Sequence, residues 1–363
     1  MQKCRRAYDQ REENVVPTSM RAARFHEVNE PLQMEEVSVP EIREDEVLVQ
    51  VKAAGLCGSD IHIVFEGVTP TGFKPITLGH EPCGIVAAVG ARVEDWEEGD
   101  RVAVSPLLFC ASCRNCITGY TNVCLKRKLV GIHENGALAE YLAVPARNLV
   151  RLPESVPFTV GAIITDAVAT PFYAISERVA LRAGETIAIF GVGGLGLHAV
   201  QIARLLGAKK IIVVDPREGQ LERATQMGAD LTINPQETSP VEAITEATGG
   251  LGVDVAAEFV GLKETISQGV EAVAMGGRVV VVGLGPDPIE TVPPTEFVRK
   301  QVSLLGSYAF TKRNIEQLVD LTAAGRLNLE ESITHTFPLE EVNTALEYLH
   351  EKIENPIRIA VTL

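Results

Sequence analysis

Apolar positions change rhythm along the 363-residue chain, and the change divides it. From Met20 to about Val104 they come in short runs, EVLVQVKAAG (46–55), GIVAAVG (84–90) and RVAV (101–104), closed by glycine or Glu-Gly-Asp turns. That half predicts strands and turns without strand–helix alternation. A helical run, PFYAISERVA (171–180), leads into a second half with a different beat. There an apolar run at 187–190 meets a glycine-rich turn, and Leu197, Val200, Ala203, Leu205 and Leu206 follow at helical spacing until Gly207. A further apolar run, 211–214, ends in Asp215. This is a strand, a tight turn, a helix and a parallel strand. The alternation continues with a helix at 220–230 capped by Gly228, a strand at 231–235, a strand at 253–261, a helix to Met275 and a strand at 278–285. Together they predict a six-stranded doubly wound parallel sheet, with Val260, Val282 and Leu284 at strand ends where a ligand would lie. Their plain alternative is buried parallel strand. After Gly306 a helix returns, and the tail NPIRIAVTL (355–363) reads as an amphiphilic strand.

The turn itself places Gly191, Gly193 and Gly196 at G-x-G-x-x-G spacing, with Gly194 and Leu195 between them. The first glycine permits the turn, the second lets a pyrophosphate reach the backbone, and the third lets helix and strand pack closely. A diphosphate would sit on the helix N-terminus, where free N–H groups and the helix dipole favour negative charge. Asp215 follows Gly191 by 24 residues, as the acceptor for adenosine ribose hydroxyls does in such units. Such a carboxylate repels a 2′-phosphate and argues for NAD, while Arg217 leaves room for NADP. The competing reading is a glycine turn in an ordinary α/β domain.

Charge and cysteine usage narrow the picture. A net charge of −15 argues against nucleic acid or an anionic membrane as partner. No apolar run in the sequence reads as a membrane span, and MQKCRRAYDQREEN lacks the apolar core of a signal peptide. Residues 1–19 read as a charged arm. Of seven cysteines, Cys110, Cys113, Cys116 and Cys124 crowd one short stretch, which fits a metal site in a reducing, cytoplasmic compartment better than disulfides. Four thiolates at this spacing can close a structural tetrahedral zinc site and hold a loop poor in apolar residues. An iron–sulfur cluster or a redox dithiol is the alternative, although no proline follows Cys124 as iron–sulfur spacing favours. Two glycine-flanked loops, GLCGSDIHIVFEG (55–67) and LGHEPCG (78–84), place Cys57 and His80 among Ser59, Asp60, His62 and Glu81. Singly, Cys57 reads as a small buried hydrophobe, His80 as a core histidine, Ser59 as a turn residue and His62 as an exposed side chain.

In combination, GHE (79–81), the four-cysteine lobe, GVGGLG (191–196) and Asp215 resemble the zinc-dependent medium-chain dehydrogenases and reductases, the alcohol dehydrogenase superfamily, over about residues 20–363. The resemblance implies a GroES-like β-rich catalytic domain (20–167 and 308–363) joined to a Rossmann domain (168–307). It implies one catalytic zinc held by Cys57, His80 and Asp166 and one structural zinc held by the four cysteines. Asp166 stands where many members carry cysteine; in this departure the chain resembles the secondary-alcohol branch, which uses Asp. The resemblance further implies that Glu81 is a carboxylate beside the metal, that Asp60 orients His80, and that Thr170 packs beside the nicotinamide. Ser59 and His62 would pass a proton outward while hydride moves between NAD(H) and a secondary alcohol, diol or polyol. Arg358 would contact the diphosphate, its alternative being a solvated strand arginine. L-Threonine is a neighbouring substrate reading, and a zinc-free reductase or a non-catalytic relative are the others. Phe65, Leu107 and Phe109 are candidates for the pocket wall. A homodimer or homotetramer is implied.

Overall fold

The computed structural model describes residues 16–363. The expected arm lies outside the described residues up to position 15, and Ser19 already opens a strand. The elements that carry the site are, in chain order, β1 (Glu46–Leu56), α1 (Gly58–Val64), β2 (Glu81–Val89), α2 (Phe158–Arg178), β3 (Thr186–Phe190), α3 (Gly196–Leu205), β4 (Lys210–Val214) and β5 (Arg358–Thr362).

The β-rich half is organised on β1, which is buried along most of its length. One edge of β1 pairs antiparallel with β2, and the tail strand β5 lies along its C-terminal half. The seven-stranded sheet thus joins residues from opposite ends of the chain. Gly55 sits opposite Glu81 on one side and opposite Ala360 on the other. The tail is not the amphiphilic strand its sequence predicts. Arg358, Ile359, Ala360 and Val361 are all buried, because β5 lies between β1 and the strand Ile333–Pro338. An arginine at such a position must find a partner inside the protein.

The second sheet has six parallel strands in the order 231–233, β4, β3, 253–258, 273–281, 303–306. The order reverses beside β3, so the crevice beyond its carboxyl end is the natural ligand position. The helix expected to reach Met275 stops at Ala272, where Val273 pairs with Val253. The succeeding Gly276 and Gly277 are poor helix residues, and Met275 is left exposed.

Helix α2 departs furthest from expectation. It begins 13 residues before Pro171 and runs for 21 residues, with a mean hydropathy of 1.4 and 83% burial over its most apolar 18-residue stretch. Length and composition alone would allow it to cross a membrane, but its burial makes it a core helix joining the two halves. Pro171 sits in its interior and offers no N–H to the carbonyl of Ala167. Two π-helical turns, Ile164–Val168 and Ala174–Arg178, lie on either side.

Candidate functional site

Cys57 ends β1 and begins α1. Its backbone N–H donates to Asp60 Oδ2 at 2.9 Å, so the short helix is capped by one of the expected site residues. The other Asp60 oxygen faces His80 Nδ1 at 3.6 Å, and neither atom has a nearer partner. Asp60 is therefore aligned with His80, as expected, but its firm bond fixes Cys57. His80 enters from the loop before β2, and its Nε2 faces Asp166 Oδ2 at 3.7 Å.

Asp166 reaches this group from the first π-helical turn of α2. The widened turn, a feature frequent at functional sites, presents Asp166 at the joint between the two halves. Its Oδ2 lies 3.4 Å from Cys57 Sγ, and its Oδ1 accepts from Thr170 Oγ1 at 2.8 Å. Thr170 is thus bound to the carboxylate one turn before it, a role the sequence did not suggest.

The donor atoms of Cys57, His80, Glu81 and Asp166 all lie within 4.8 Å of one another. In a tetrahedral zinc site, bond lengths of 2.0–2.3 Å put neighbouring ligand atoms about 3.3–3.8 Å apart, as found between Asp166 and both Cys57 and His80. Burial opposes charge on His80, yet the Asp60 and Asp166 carboxylates push its pKa well above the usual range. Burial likewise opposes ionisation of Asp166, but His80 and the Thr170 hydroxyl hold its carboxyl below the usual range. A buried thiol and carboxylates that draw a proton onto the imidazole form an environment that wants a cation. Soft sulfur, imidazole and one carboxylate suit zinc.

Glu81 and Arg358 complete the group. Arg358 Nη2 donates to Glu81 Oε1, and both side chains are buried. Among the described residues Glu81 Oε2 has no hydrogen-bond partner, and it lies against Gly55, where a Cβ would stand 1.9 Å from it. Only glycine at position 55 leaves room for this carboxylate. Arg358 also borders the glycine-rich turn, its Nη1 being 3.0 Å from the place of a Cβ on Gly194. The arginine therefore bridges the metal cluster and the turn, its guanidinium engaged by Glu81.

Ser59 and His62 lie three residues apart on α1, hence on one face. Ser59 Oγ is 3.9 Å from Cys57 Sγ, while His62 is exposed and bonds Glu66 through Nδ1 at 2.6 Å. The pocket-wall candidates do not gather here. Phe65 stacks on His350 at 4.3 Å, Leu107 is buried in the core that contains α2, and Phe109 lies under Arg147.

The turn takes the predicted form. Gly191 has φ 82°, and a Cβ on Gly196 would stand 1.9 Å from the Gly191 carbonyl, so the third glycine is required for close packing. Gly193, Gly194 and Leu195 lead into α3, and Val260 packs over Gly191. Val282 is partly buried beyond its strand, whereas Leu284 is exposed. Asp215 stands at the end of β4 as expected, but its carboxylate is taken up by Arg217 and the Val192 N–H.

Two residues escaped the sequence reading. Glu258 accepts from Val260 N, Gly261 N and Thr265 Oγ1 at 2.7–2.8 Å and so fixes the loop over the turn. The acid that closes the strand VDVAAE was the available signal. His198, wholly buried on α3, lies against the backbone of Gly194 and of Ala167, the residue whose carbonyl Pro171 leaves without an N–H. Neither ring nitrogen has a full hydrogen bond, and burial pushes its pKa down to about 3.

The four cysteines form a separate cluster. Sγ atoms stand 3.9 Å apart for Cys110–Cys116, 3.5 Å for Cys113–Cys116 and 3.9 Å for Cys113–Cys124. Tetrahedral zinc with bonds near 2.3 Å requires about 3.8 Å. The N–H groups of Cys113 and Lys126 point at Cys110 and Cys124 sulfurs. Hydrogen bonds from the Ser112 backbone and hydroxyl lower the Cys110 thiol to about 5, so it is a ready thiolate.

Comparison with known proteins agrees with this geometry. Residues 43–154 match the alcohol dehydrogenase GroES-like domain, and residues 194–324 match the zinc-binding dehydrogenase family. The chain is 33% identical to L-threonine 3-dehydrogenase of Bacillus subtilis over 320 residues, covering 86% of this chain and 90% of that one. It is 33% identical to sorbitol dehydrogenase of Bacillus subtilis over 338 residues, covering 92% and 94%. The solved alcohol dehydrogenase TADH from Thermus sp. ATN1 superposes with a TM-score of 0.89 at 32% identity, covering 94% of this chain and 99% of that one. With its GroES-like and Rossmann parts, its zinc-type donor cluster and its glycine-rich turn, the chain belongs to the zinc-dependent medium-chain alcohol dehydrogenase family and is an oxidoreductase acting on alcohols.

Proposed function

We propose that the protein transfers hydride between a nicotinamide dinucleotide and a small secondary alcohol, diol or polyol, with the matching ketone as product. The observation that carries this reading is the Cys57–His80–Asp166 cluster standing one arginine away from the glycine-rich turn. Metal donors and dinucleotide cradle then share one cleft. A bound zinc supplies Lewis acidity that lowers the pKa of a substrate hydroxyl. Cys57, His80 and Asp166 would hold it, with Asp60 orienting the imidazole and Thr170 holding Asp166 to a single coordinating oxygen. Ser59, next to Cys57, takes the hydroxyl proton, and His62 at the exposed end of α1 releases it to water. Cys110, Cys113, Cys116 and Cys124 hold a second, structural zinc.

L-Threonine, itself a secondary alcohol, is the second reading, favoured by the threonine dehydrogenase relative. Its carboxylate calls for a free cation, whereas Arg358, beside the cluster, is committed to Glu81. We therefore favour uncharged substrates.

We assign residues 20–167 and 308–363 to the catalytic domain and 168–307 to the Rossmann domain; the first boundary then falls inside α2, which both share. Among the described residues the strand Ser303–Gly306 pairs on one side only, which supports a homodimer or homotetramer formed along that edge. Thiol-rich zinc sites support a cytoplasmic location.

The test is reduced-nicotinamide absorbance across primary alcohols, secondary alcohols, diols, polyols and L-threonine, before and after chelator. Chelator-sensitive turnover of uncharged secondary alcohols is expected. Exclusive turnover of threonine would replace the substrate reading, and turnover indifferent to chelator would remove the metal from the reaction.

A further inference from the structure

Two helical ladders are each broken at one carbonyl, and both carbonyls face the same side chain. In α2, Pro171 has no N–H to offer the carbonyl of Ala167, the residue after Asp166. At the head of α3, Leu197 N donates to Gly193 O at 3.1 Å and Ala199 N to Leu195 O at 3.0 Å. Among the described residues the bond between them, from His198 N to Gly194 O, is missing, and no other backbone N–H reaches that carbonyl. The His198 imidazole, wholly buried where α3 packs on α2, stands against the backbone of both Gly194 and Ala167. Both backbone groups favour its protonated form, as carbonyl acceptors do and N–H donors do not.

One imidazole cannot serve both carbonyls. Burial and the neighbouring Arg358 guanidinium keep it neutral, and a neutral imidazole carries a single N–H. Among the described residues neither ring nitrogen has a partner at full hydrogen-bond geometry, so the ring stands between two acceptors and is committed to neither. A side chain that only filled space would be apolar here, without the penalty of burying two polar nitrogens. The two acceptors belong to different parts of the site. Ala167 follows Asp166, a donor of the metal cluster, while Gly194 lies in the glycine-rich turn and borders Arg358. A ligand that fixes the Gly194 turn therefore fixes where the imidazole proton points, and with it the backbone beside Asp166.

We propose that His198 is a positioning residue that couples dinucleotide binding to the metal cluster, its one N–H serving both the Gly194 turn and the Ala167 carbonyl next to Asp166. The inference rests on the zinc- and dinucleotide-dependent reading above. The coupling is positive, because a dinucleotide that orders the glycine-rich turn leaves less ordering for zinc to impose on the Asp166 turn. By linkage, zinc raises dinucleotide affinity by the same factor.

The experiment measures zinc affinity at the Cys57 cluster by competition with a chromogenic chelator on the full chain. Wild type, His198→Leu and His198→Gln are compared with and without saturating NADH or NADPH, whichever binds more tightly. Circular dichroism establishes folding, and nicotinamide fluorescence establishes dinucleotide binding. In wild type the dinucleotide should strengthen zinc by about fivefold or more, the lower end of ordinary coupling between sites. His198→Leu, of similar size but without an N–H, should abolish that factor. His198→Gln, which restores a neutral N–H, should recover most of it. A histidine that is merely structural would lower the melting temperature in His198→Leu and leave the factor unchanged. Coupling carried by the Arg358–Glu81 pair would also survive in His198→Leu. Either result, or a wild type without coupling, would overturn the proposal alone. Folded wild type that binds no dinucleotide, or that keeps zinc only at the four cysteines, would overturn both the proposal and the reading beneath it.

Discussion

Arg358 and Glu81, 277 residues apart, form an ion pair in which both side chains are buried. The pair ties the tail strand to the residue next to a metal donor and sets the guanidinium under Gly194. Burial raises the Glu81 carboxyl to about 7 even with the arginine beside it, so the pair is finely balanced. Arg358→Met leaves that carboxylate unpaired and should cost about 3–5 kcal/mol, whereas Glu81→Gln with Arg358→Met should recover much of the loss. Chemical denaturation of the single and double variants measures the coupling; additive losses would show that the pair is incidental.

Asp166→Ala should lower zinc from two per chain to one. The four-cysteine cluster shares no residue with the Cys57 group and should keep its metal. Metal analysis after gel filtration reads the count, and two zincs with ordinary turnover would exclude Asp166 as a ligand.

Thr170→Val removes the hydroxyl that holds Asp166 Oδ1 while keeping the shape of the side chain. Loss of a hydrogen bond to a liganding group typically costs about 10–100-fold in metal affinity or activity. Competition with a chromogenic chelator should show weaker zinc at this cluster alone, without a change in dinucleotide affinity. A change confined to dinucleotide affinity would return Thr170 to a packing role beside the nicotinamide.

His198 should make the fold acid-sensitive. Its folded pKa is about 3, against an ordinary value near 6.5, so the unfolded chain binds a proton in that window and the folded chain does not. Its stabilising contribution is full above pH 6.5 and falls by up to about 1.4 kcal/mol per pH unit on acidification towards 3. His198→Gln stays neutral and should flatten the profile over pH 6.5–5 in urea unfolding at fixed zinc. Parallel profiles would mean that the imidazole titrates freely.

Local chemistry was legible before any fold was known. The strand–turn–helix–strand unit follows from apolar periodicity and three glycines within a few turns of chain, and the four-cysteine cluster from spacing that leaves the thiols little choice but to meet. Cys57, His80 and Asp166 could be named as candidates because the resemblance to the family points to those positions. Their partners could not. Sheet register alone sets Gly55 against Glu81 and lays β5 beside β1, which delivers Arg358 to a carboxylate far away in sequence. The π-helical turn of α2 presents Asp166 and places Thr170 behind it, although a proline in this run pointed to a later helix start. Asp215 shows the limit most clearly. Its identity and position were readable, but whether its lone pairs stay open for a ribose is a competition among neighbouring donors, and that is settled only when the chain has folded and Arg217 has taken them.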